Sequence, residues 1–296
     1  MKQTAHHKRK HIMLWVGLAL LFLGFTGWVL WGNSALTVTE FQLEILPEEG
    51  SYVIAQVSDF HNAEFGKDNC RLVALLKSIA PDAIVVTGDL IDRPTRDSAA
   101  LDFMRQAPSI APVYFVTGNH EAWIYDAYPN LDEKLQERGI TILSNEAVTL
   151  EDAPLELIGL DDPAVGLRDD PSAQPEELLR SSLEKLVPVK GEGEKDVARV
   201  LLAHRPEYIQ VYQEFDIDLV LSGHAHGGQV RLPFVGGVYA DGQGWFPQYD
   251  SGLYYGSDGE GDTLMVVSRG LGNSLPLRIN NRPEVVVVRL TGKQPE

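Results

Sequence analysis

The chain has 296 residues, of which 44% are hydrophobic and 23% charged, and its formal net charge is −17. That length allows one large domain or two small ones with a full core, and the acidic balance argues against nucleic acid as a main partner, because phosphate backbones need basic patches. A single cysteine, Cys70, excludes an intrachain disulfide; it lies in a helix-like run and reads as packing.

Residues 1–11 form a basic, histidine-rich tail (Lys2, His6, His7, Lys8, Arg9, Lys10, His11) without an acid. Residues 12–31, Ile12 to Trp31, have Thr26 as their one polar side chain. At about 1.5 Å per residue such a helix spans roughly 30 Å, the thickness of a hydrocarbon core. Trp15, Trp28 and Trp31 lie near its ends, where indoles favour the interface. A buried core helix would not need basic residues on one side only, and a signal peptide has a shorter apolar region, about 7–15 residues. Asn33-Ser34-Ala35 is a poor cleavage site. The span is therefore predicted to be an uncleaved transmembrane signal anchor. Lys8, Arg9 and Lys10 before it put the N-terminus in the cytoplasm and the body outside the cell membrane.

From residue 36 to 296 the pattern is α/β. Leu36–Leu46 alternates loosely and reads as an edge strand. Tyr52–Val57, Ala83–Val86, Val113–Val116, Val197–Ala203 and Ile217–Leu221 are apolar runs that read as buried strands. Between them, 69–79, 98–106, 128–138 and 206–213 have helical spacing. Ile140–Leu143, Ala147–Leu150 and Leu155–Ile158 read as further strands, and Thr263–Val267 and Val285–Leu290 as closing ones. Apolar runs alternating with helices indicate sheet covered on both faces. Residues 168–196 are polar, with a Gly-Glu-Gly-Glu run, and read as a surface insertion holding one exposed helix over 176–186. Residues 230–257, rich in Gly, Tyr and Trp, read as hairpins.

Five of the buried runs end in polar clusters: Asp59/His61, Asp89/Asp92, Asn119/His120, His204, and His224/His226. Every histidine outside the basic tail is in one of them. In open α/β sheets the carboxyl ends of strands converge on a ligand site. The alternative, a set of unrelated polar turns, must place all five histidines there by accident. Asp, Asn and His without Cys suit Mn²⁺, Fe or Zn²⁺ and not a cysteine-type structural zinc. Asp59, His61, Asp89, Asn119, His204, His224 and His226 are too many ligands for one ion. They fit two ions about 3.5–4 Å apart with a bridging carboxylate. Two dications outweigh two aspartates and a bridging hydroxide, so the pocket is positive and attracts phosphate.

Asp59-x-His61, Gly88-Asp89-x-x-Asp92, Gly118-Asn119-His120-Glu121, His204 and Gly223-His224-Ala225-His226 together resemble the signature set of the calcineurin-like metallophosphoesterase superfamily. The stretch from Arg269-Gly270-Leu271-Gly272-Asn273 through Arg278 to Arg282-Pro283-Glu284-Val285, with the N-terminal anchor, resembles the membrane-associated bacterial branch typified by YkuE and YaeI. The resemblance implies a central two-sheet β-sandwich flanked by helices. It implies that Asp59, His61 and His226 hold one metal, that Asn119, His204 and His224 hold the other, and that Asp89 bridges. It further implies a metal-bound hydroxide attacking phosphorus, with His120 beside the leaving oxygen and Asp92 orienting His120. Phe60 stands where leucine is common, a packing change.

The expected protein is a membrane-anchored dimetal phosphoesterase, Mn²⁺ foremost with Fe or Zn²⁺ as alternatives. Its expected bonds are phosphodiester or pyrophosphate bonds, with lipid-linked and cell-envelope compounds among the substrates. The rivals are a phosphomonoesterase with the same ions and an inactive metal-site binding module. Leu232-Pro233-Phe234 and Trp245-Phe246-Pro247 are either hairpin packing or an apolar lip for a lipid. Arg205 is either a substrate contact or structural, and no oligomeric state is implied.

Overall fold

The computed structural model describes residues 2–188, 196–256, 262–273 and 278–292, with side chains from His11 onward. Helix α1 runs Lys2–Ser34, and its segment His11–Ser34 is long and apolar enough to cross a membrane. It leads directly into strand β1 (Thr37–Leu46).

Two six-stranded sheets follow, packed face to face. The first orders its strands β1, β16 (Glu284–Gly292), β2 (Ser51–Val57), β3 (Ala83–Thr87), β4 (Val113–Val116) and β5 (Thr141–Ile142). The second orders β14 (Gly252–Tyr255), β15 (Leu264–Val267), β9 (Leu219–Ser222), β8 (Ala198–Ala203), β7 (Leu155–Leu160) and β6 (Glu146–Thr149). Strands β2, β3 and β4 are parallel, as are β7, β8, β9 and β15. Their carboxyl ends therefore gather at one rim of the sandwich.

The alternation of side chains across a strand builds three apolar layers. Ile54, Val85, Leu157, Val200, Leu202, Leu219 and Leu221 fill the space between the sheets. Ala55, Val57, Ile84 and Val86 face the other way, against α2 (Cys70–Ile79) and α3 (Ser98–Gln106). Phe60 belongs to this outer layer, stacked on Phe103 at 5.3 Å. Across the molecule, Leu201, Ala203 and Val220 pack beneath α7 (Pro175–Leu186) and α8 (Ile209–Tyr212). The result is the helix-flanked two-sheet sandwich that the resemblance implies.

Several expectations need correction. The helix read as exposed within 168–196 is α7, and it buries Leu179 and Leu183 in the outer layer of the second sheet. Parallel β7 and β8 need a crossover between them, and α7, after α6 (Pro163–Asp169), supplies it. The Gly-Glu-Gly-Glu run lies outside the described residues. The helix expected over 128–138 shortens to α5 (Leu131–Gln136), and that over 206–213 becomes a 3₁₀ turn followed by α8. Cys70 is exposed, not packed. A Leu183→Ala substitution should cost about 2–4 kcal/mol of unfolding free energy by chemical denaturation, the range for a leucine removed from a core. A loss below about 0.5 kcal/mol, as for a surface site, would restore the insertion reading.

Residues 230–245 form two short hairpins, β10 (Arg231–Leu232) with β11 (Gly236–Gly237) and β12 (Tyr239–Ala240) with β13 (Gly244–Trp245). Val230 bridges to Ile279, which ties the first hairpin to the segment leading into β16.

Candidate metal centre

The candidate residues sit just past the carboxyl ends of β2, β3, β4, β8 and β9. The two sheets are stitched together there. Gln56 Nε2 donates to Ser222 O at 2.9 Å, and His204 Nδ1 lies 2.8 Å from Thr87 O. Gly223 has no room for a side chain, because a Cβ there would lie on Ser58 Oγ and Asp59. Asp59, His61, Asp89, His224 and His226 all have left-handed backbones, with φ of 48°, 45°, 53°, 64° and 49°. For non-glycine residues that conformation costs on the order of 1 kcal/mol or more each. Strain concentrated at one rim marks a place where side-chain direction matters more than stability.

Two groups of donors converge and share one member. Asp59, His61, Asp89 and His226 offer atoms within 4.8 Å of one another, and so do Asp89, His204 and His224. Asp89 is thus the common residue, at the position expected of a bridge. Asn119 Oδ1 lies 3.2 Å from His204 Nε2, alongside the second group. All seven side chains come together, and all are buried.

The protonation pattern suits cations. Nδ1 of His204 donates to Thr87 O, so the second proton is on Nε2, which faces Asp89 at 3.3 Å, and loss of that proton turns Nε2 into an inward-facing ligand atom. His61 Nε2 and His226 Nε2 face each other at 3.2 Å, while both Nδ1 atoms are buried without a partner. One of the facing nitrogens can donate to the other, but the two buried Nδ1 atoms stay unsatisfied in that arrangement. Burial pushes His61 down to about 3 and holds His224 and His226 well below the usual histidine range. These rings are neutral at pH 7 and ready to ligate. Burial raises Asp59 to about 6. Burial alone would also raise Asp89, but His204 beside it holds it well below the usual range. Burial would lower His204, yet Asp89 takes it up to about 10. The donor set fits two divalent cations, which would replace that trapped proton.

His120 opens α4 (Asn119–Ile124) at the edge of the site. Its Nδ1 is 3.0 Å from Asp92 and its Nε2 is 3.9 Å from Asp89. Asp92 therefore meets His120 as expected. Asn62 Oδ1 accepts from the backbone N–H of Asp92 and Arg93 and holds that loop. Trp123 covers the outer face of the His120 ring, with centroids 4.8 Å apart.

Three supporting residues were undecided or unread in the sequence. Glu121 accepts from the backbone N–H groups of Gly118, Asp89, Leu90 and Ile91 at 2.8–3.2 Å. This carboxylate positions both the Asp89 turn and the start of α4. Arg205 is held by Asp162, which takes its Nε at 2.7 Å, while its Nη1 lies 3.4 Å from His224 Nε2, so the guanidinium borders the candidate ligands. Glu207 stands 3.8 Å from His224 Nε2. If His224 ligates through Nδ1, the proton sits on Nε2, and Glu207 is the carboxylate placed to receive it.

A layout of this kind, two donor groups sharing a buried aspartate at a strand-end rim, defines a dimetal phosphoesterase-type centre. The family description "Calcineurin-like phosphoesterase" matches residues 52–228, and the chain belongs to that family. It is a metal-dependent phosphoester hydrolase. The chain is similar to "Phosphodiesterase YaeI" of Escherichia coli (strain K12), 31% identical over 215 residues, covering 71% of this chain and 70% of that protein. It is also similar to "Uncharacterized metallophosphoesterase YkuE" of Bacillus subtilis (strain 168), 29% identical over 250 residues, covering 81% and 79%. A third relative, "Transmembrane protein with metallophosphoesterase domain" of Bos taurus, is 28% identical over 266 residues, covering 85% of this chain and 56% of that protein.

Proposed function

We propose that the chain is a membrane-anchored phosphodiesterase whose catalytic body faces away from the cytoplasm. Its substrates are phosphodiester or pyrophosphate bonds of lipid or cell-envelope compounds. The observation that carries the reading is the pair of donor groups joined at Asp89. Asp59, His61 and His226 hold one cation, and Asn119, His204 and His224 the other. A set of oxygen and imidazole donors without cysteine accommodates Mn²⁺, Fe or Zn²⁺, and Mn²⁺ is the ion proposed. When bound, the two cations supply Lewis-acid polarisation of the phosphoryl oxygens and an activated water.

The chain's own residues do the rest. Asp92 holds Nδ1–H of His120, which turns Nε2 towards the site. As the acid, His120 carries a second proton on Nε2, passes it to the leaving oxygen and is left neutral with Nδ1–H on Asp92. Asp162 holds Nε of Arg205, and Nη1 lies 3.4 Å from His224 Nε2, so a single guanidinium edge reaches the site. One such contact suits a diester, with its single charge. The relative named as a phosphodiesterase supports the same choice. The anchor is α1, and Lys8, Arg9 and Lys10 set its cytoplasmic side.

Trp245 and Phe246 are 72% and 61% exposed, and Phe234 is fully so. That is against hairpin packing and in favour of an apolar lip for a lipid-linked substrate. The β12–β13 turn lies over Glu207 and His224, since a Cβ on Gly242 would be 3.7 Å from His224 Nε2. Rates should be compared on a small chromogenic diester, a monoester and a lipid pyrophosphate, with Mn²⁺, Zn²⁺ or Mg²⁺ added. The diester and lipid compounds should be hydrolysed fastest. Replacing Trp245 and Phe246 by serine should lower the lipid rate roughly tenfold, about the worth of one buried aromatic contact, and spare the small diester. Equal loss on both counts against the lip, and a monoester preference counts against the diesterase reading.

A further inference from the structure

The carboxyl end of α1 is docked on the body, not merely tethered to it. Asn33 exchanges two hydrogen bonds with the Arg278 backbone, at 2.7 and 2.8 Å. Arg71 caps Ser34 O at 2.9 Å, and Arg282 donates to Ala35 O and Leu36 O. Between helix and body lies a cavity of about 300 Å³ lined by Trp28, Trp31, Arg269, Arg278, Asn281 and Arg282. That size is at the lower end of small-ligand pockets.

The charge here is opposite to that of the whole chain. Arg269 is neutralised by Glu284 at 2.7 Å. Among the described residues Arg278 and Arg282 have no carboxylate partner. Arg278 is 2% exposed, spends its two terminal nitrogens on the carbonyls of Arg269 and Gly272, and keeps Nε without an acceptor. Arg282 lies over the Trp31 ring, 5.2 Å from its centroid. A buried guanidinium with an unused donor calls for an anion. The indoles beside it are interface residues on a helix whose apolar side chains, Phe25 and Leu21 among them, are exposed. The β10–β11 hairpin adjoins the same segment, with Asn280 Nδ2 donating to Arg231 O, and exposes Leu232, Phe234 and Val235.

We propose that this pocket binds the phosphate group of an anionic membrane lipid. Arg282 holds the phosphate through Nη1, its Nε and Nη2 being given to Ala35 O and Leu36 O, with the buried charge of Arg278 behind it, and Trp28 and Trp31 cover the glycerol and upper acyl region. The acyl chains lie along α1. The inference rests on α1 being a membrane anchor and goes beyond it, to a specific lipid site. The site backs onto the metal centre, because Asn281 Nδ2 donates to His226 O at 2.6 Å.

The test uses the full chain in phosphatidylcholine vesicles containing a minor fraction of brominated phosphatidylglycerol or, in parallel, brominated phosphatidylcholine. With Trp15, Trp123 and Trp245 replaced by phenylalanine, indole quenching reports which lipid sits against Trp28 and Trp31. Brominated phosphatidylglycerol should be enriched roughly fivefold over phosphatidylcholine, the expectation for one guanidinium–phosphate contact at a membrane surface. Arg282→Gln should abolish the enrichment, and Arg282→Lys, which keeps the charge, should retain part of it. Thermal melting of both variants checks that the body stays folded. Inorganic phosphate in the buffer should not displace the lipid. Equal quenching by the two lipids overturns the proposal, as does enrichment that survives Arg282→Gln. Loss of enrichment on adding inorganic phosphate assigns the pocket to a free anion and overturns the lipid source. A chain that fails to float with either vesicle overturns the anchor and the pocket together. Flotation with equal quenching removes the pocket alone.

Discussion

An Asp89→Asn variant should retain its fold and lose both hydrolysis and a metal ion. The asparagine keeps Oδ1, which accepts from the His120 backbone N–H at 2.9 Å, so the start of α4 is preserved. What it removes is the negative charge shared by the two donor groups, and it turns an amide towards His204 and His61. A bridging carboxylate neutralises both cations at once, so its loss weakens both sites. The expected fall in kcat is on the order of 10³-fold, equivalent to about 4 kcal/mol of transition-state stabilisation. Metal analysis of the purified variant should find fewer than two ions per chain, with circular dichroism unchanged. Two ions and a full rate together would mean that the chemistry does not run through a bridged pair.

Glu121→Ala should be the most destabilising change at the site. Glu121 is 6% exposed and touches no candidate ligand side chain. Its two oxygens receive four backbone N–H groups from two separate loops. Alanine leaves those donors without an acceptor, at about 1–3 kcal/mol for each one that water does not reach. A loss of about 3–5 kcal/mol in chemical denaturation is expected, with Glu121→Gln intermediate because one oxygen remains. The Asp89 turn then loosens, and activity should drop a further 10–100-fold, as for other residues that orient ligands. A loss within about 1 kcal/mol would show that the loops hold themselves.

The ligand set was legible because its chemistry is confined to a few residue types. Outside the tail, histidines placed only at strand ends, two of them beside Asp or Asn, stand out whatever the fold. The buried strands were legible for a similar reason, since a strand covered on both faces is apolar at every position, as at Ile84-Val85-Val86. Glu121 was not, because three of its four partners are backbone donors 30–32 residues upstream, and a main-chain N–H leaves no mark on composition. The left-handed backbones of Asp59, His61 and Asp89 were hidden too, since neither residue type announces that conformation as glycine does. Helix α7 was misread for a different reason. Glu176, Glu177 and Lys185 dominate its composition, whereas its fate is decided by Leu179 and Leu183, one helical turn apart. The exposure of Trp245 and Phe246 ran opposite to the usual expectation for aromatics, and composition gives no sign of it.

Strand β16 has a consequence for the order of assembly. It lies between β1 and β2, parallel to one and antiparallel to the other, with Val288 opposite both Phe41 and Ile54. A nascent chain made as far as His226 already carries every candidate ligand. Its first sheet nevertheless has a gap that residues 284–292 alone can fill. Closing a contact across so many residues is slow, and until it closes β1 and β2 present unpaired edges that invite aggregation. Tight ion loading is therefore expected only after residues 284–292 have been made. A truncation that removes 284–292 should yield an aggregating chain that holds no metal, although it lacks none of the ligands.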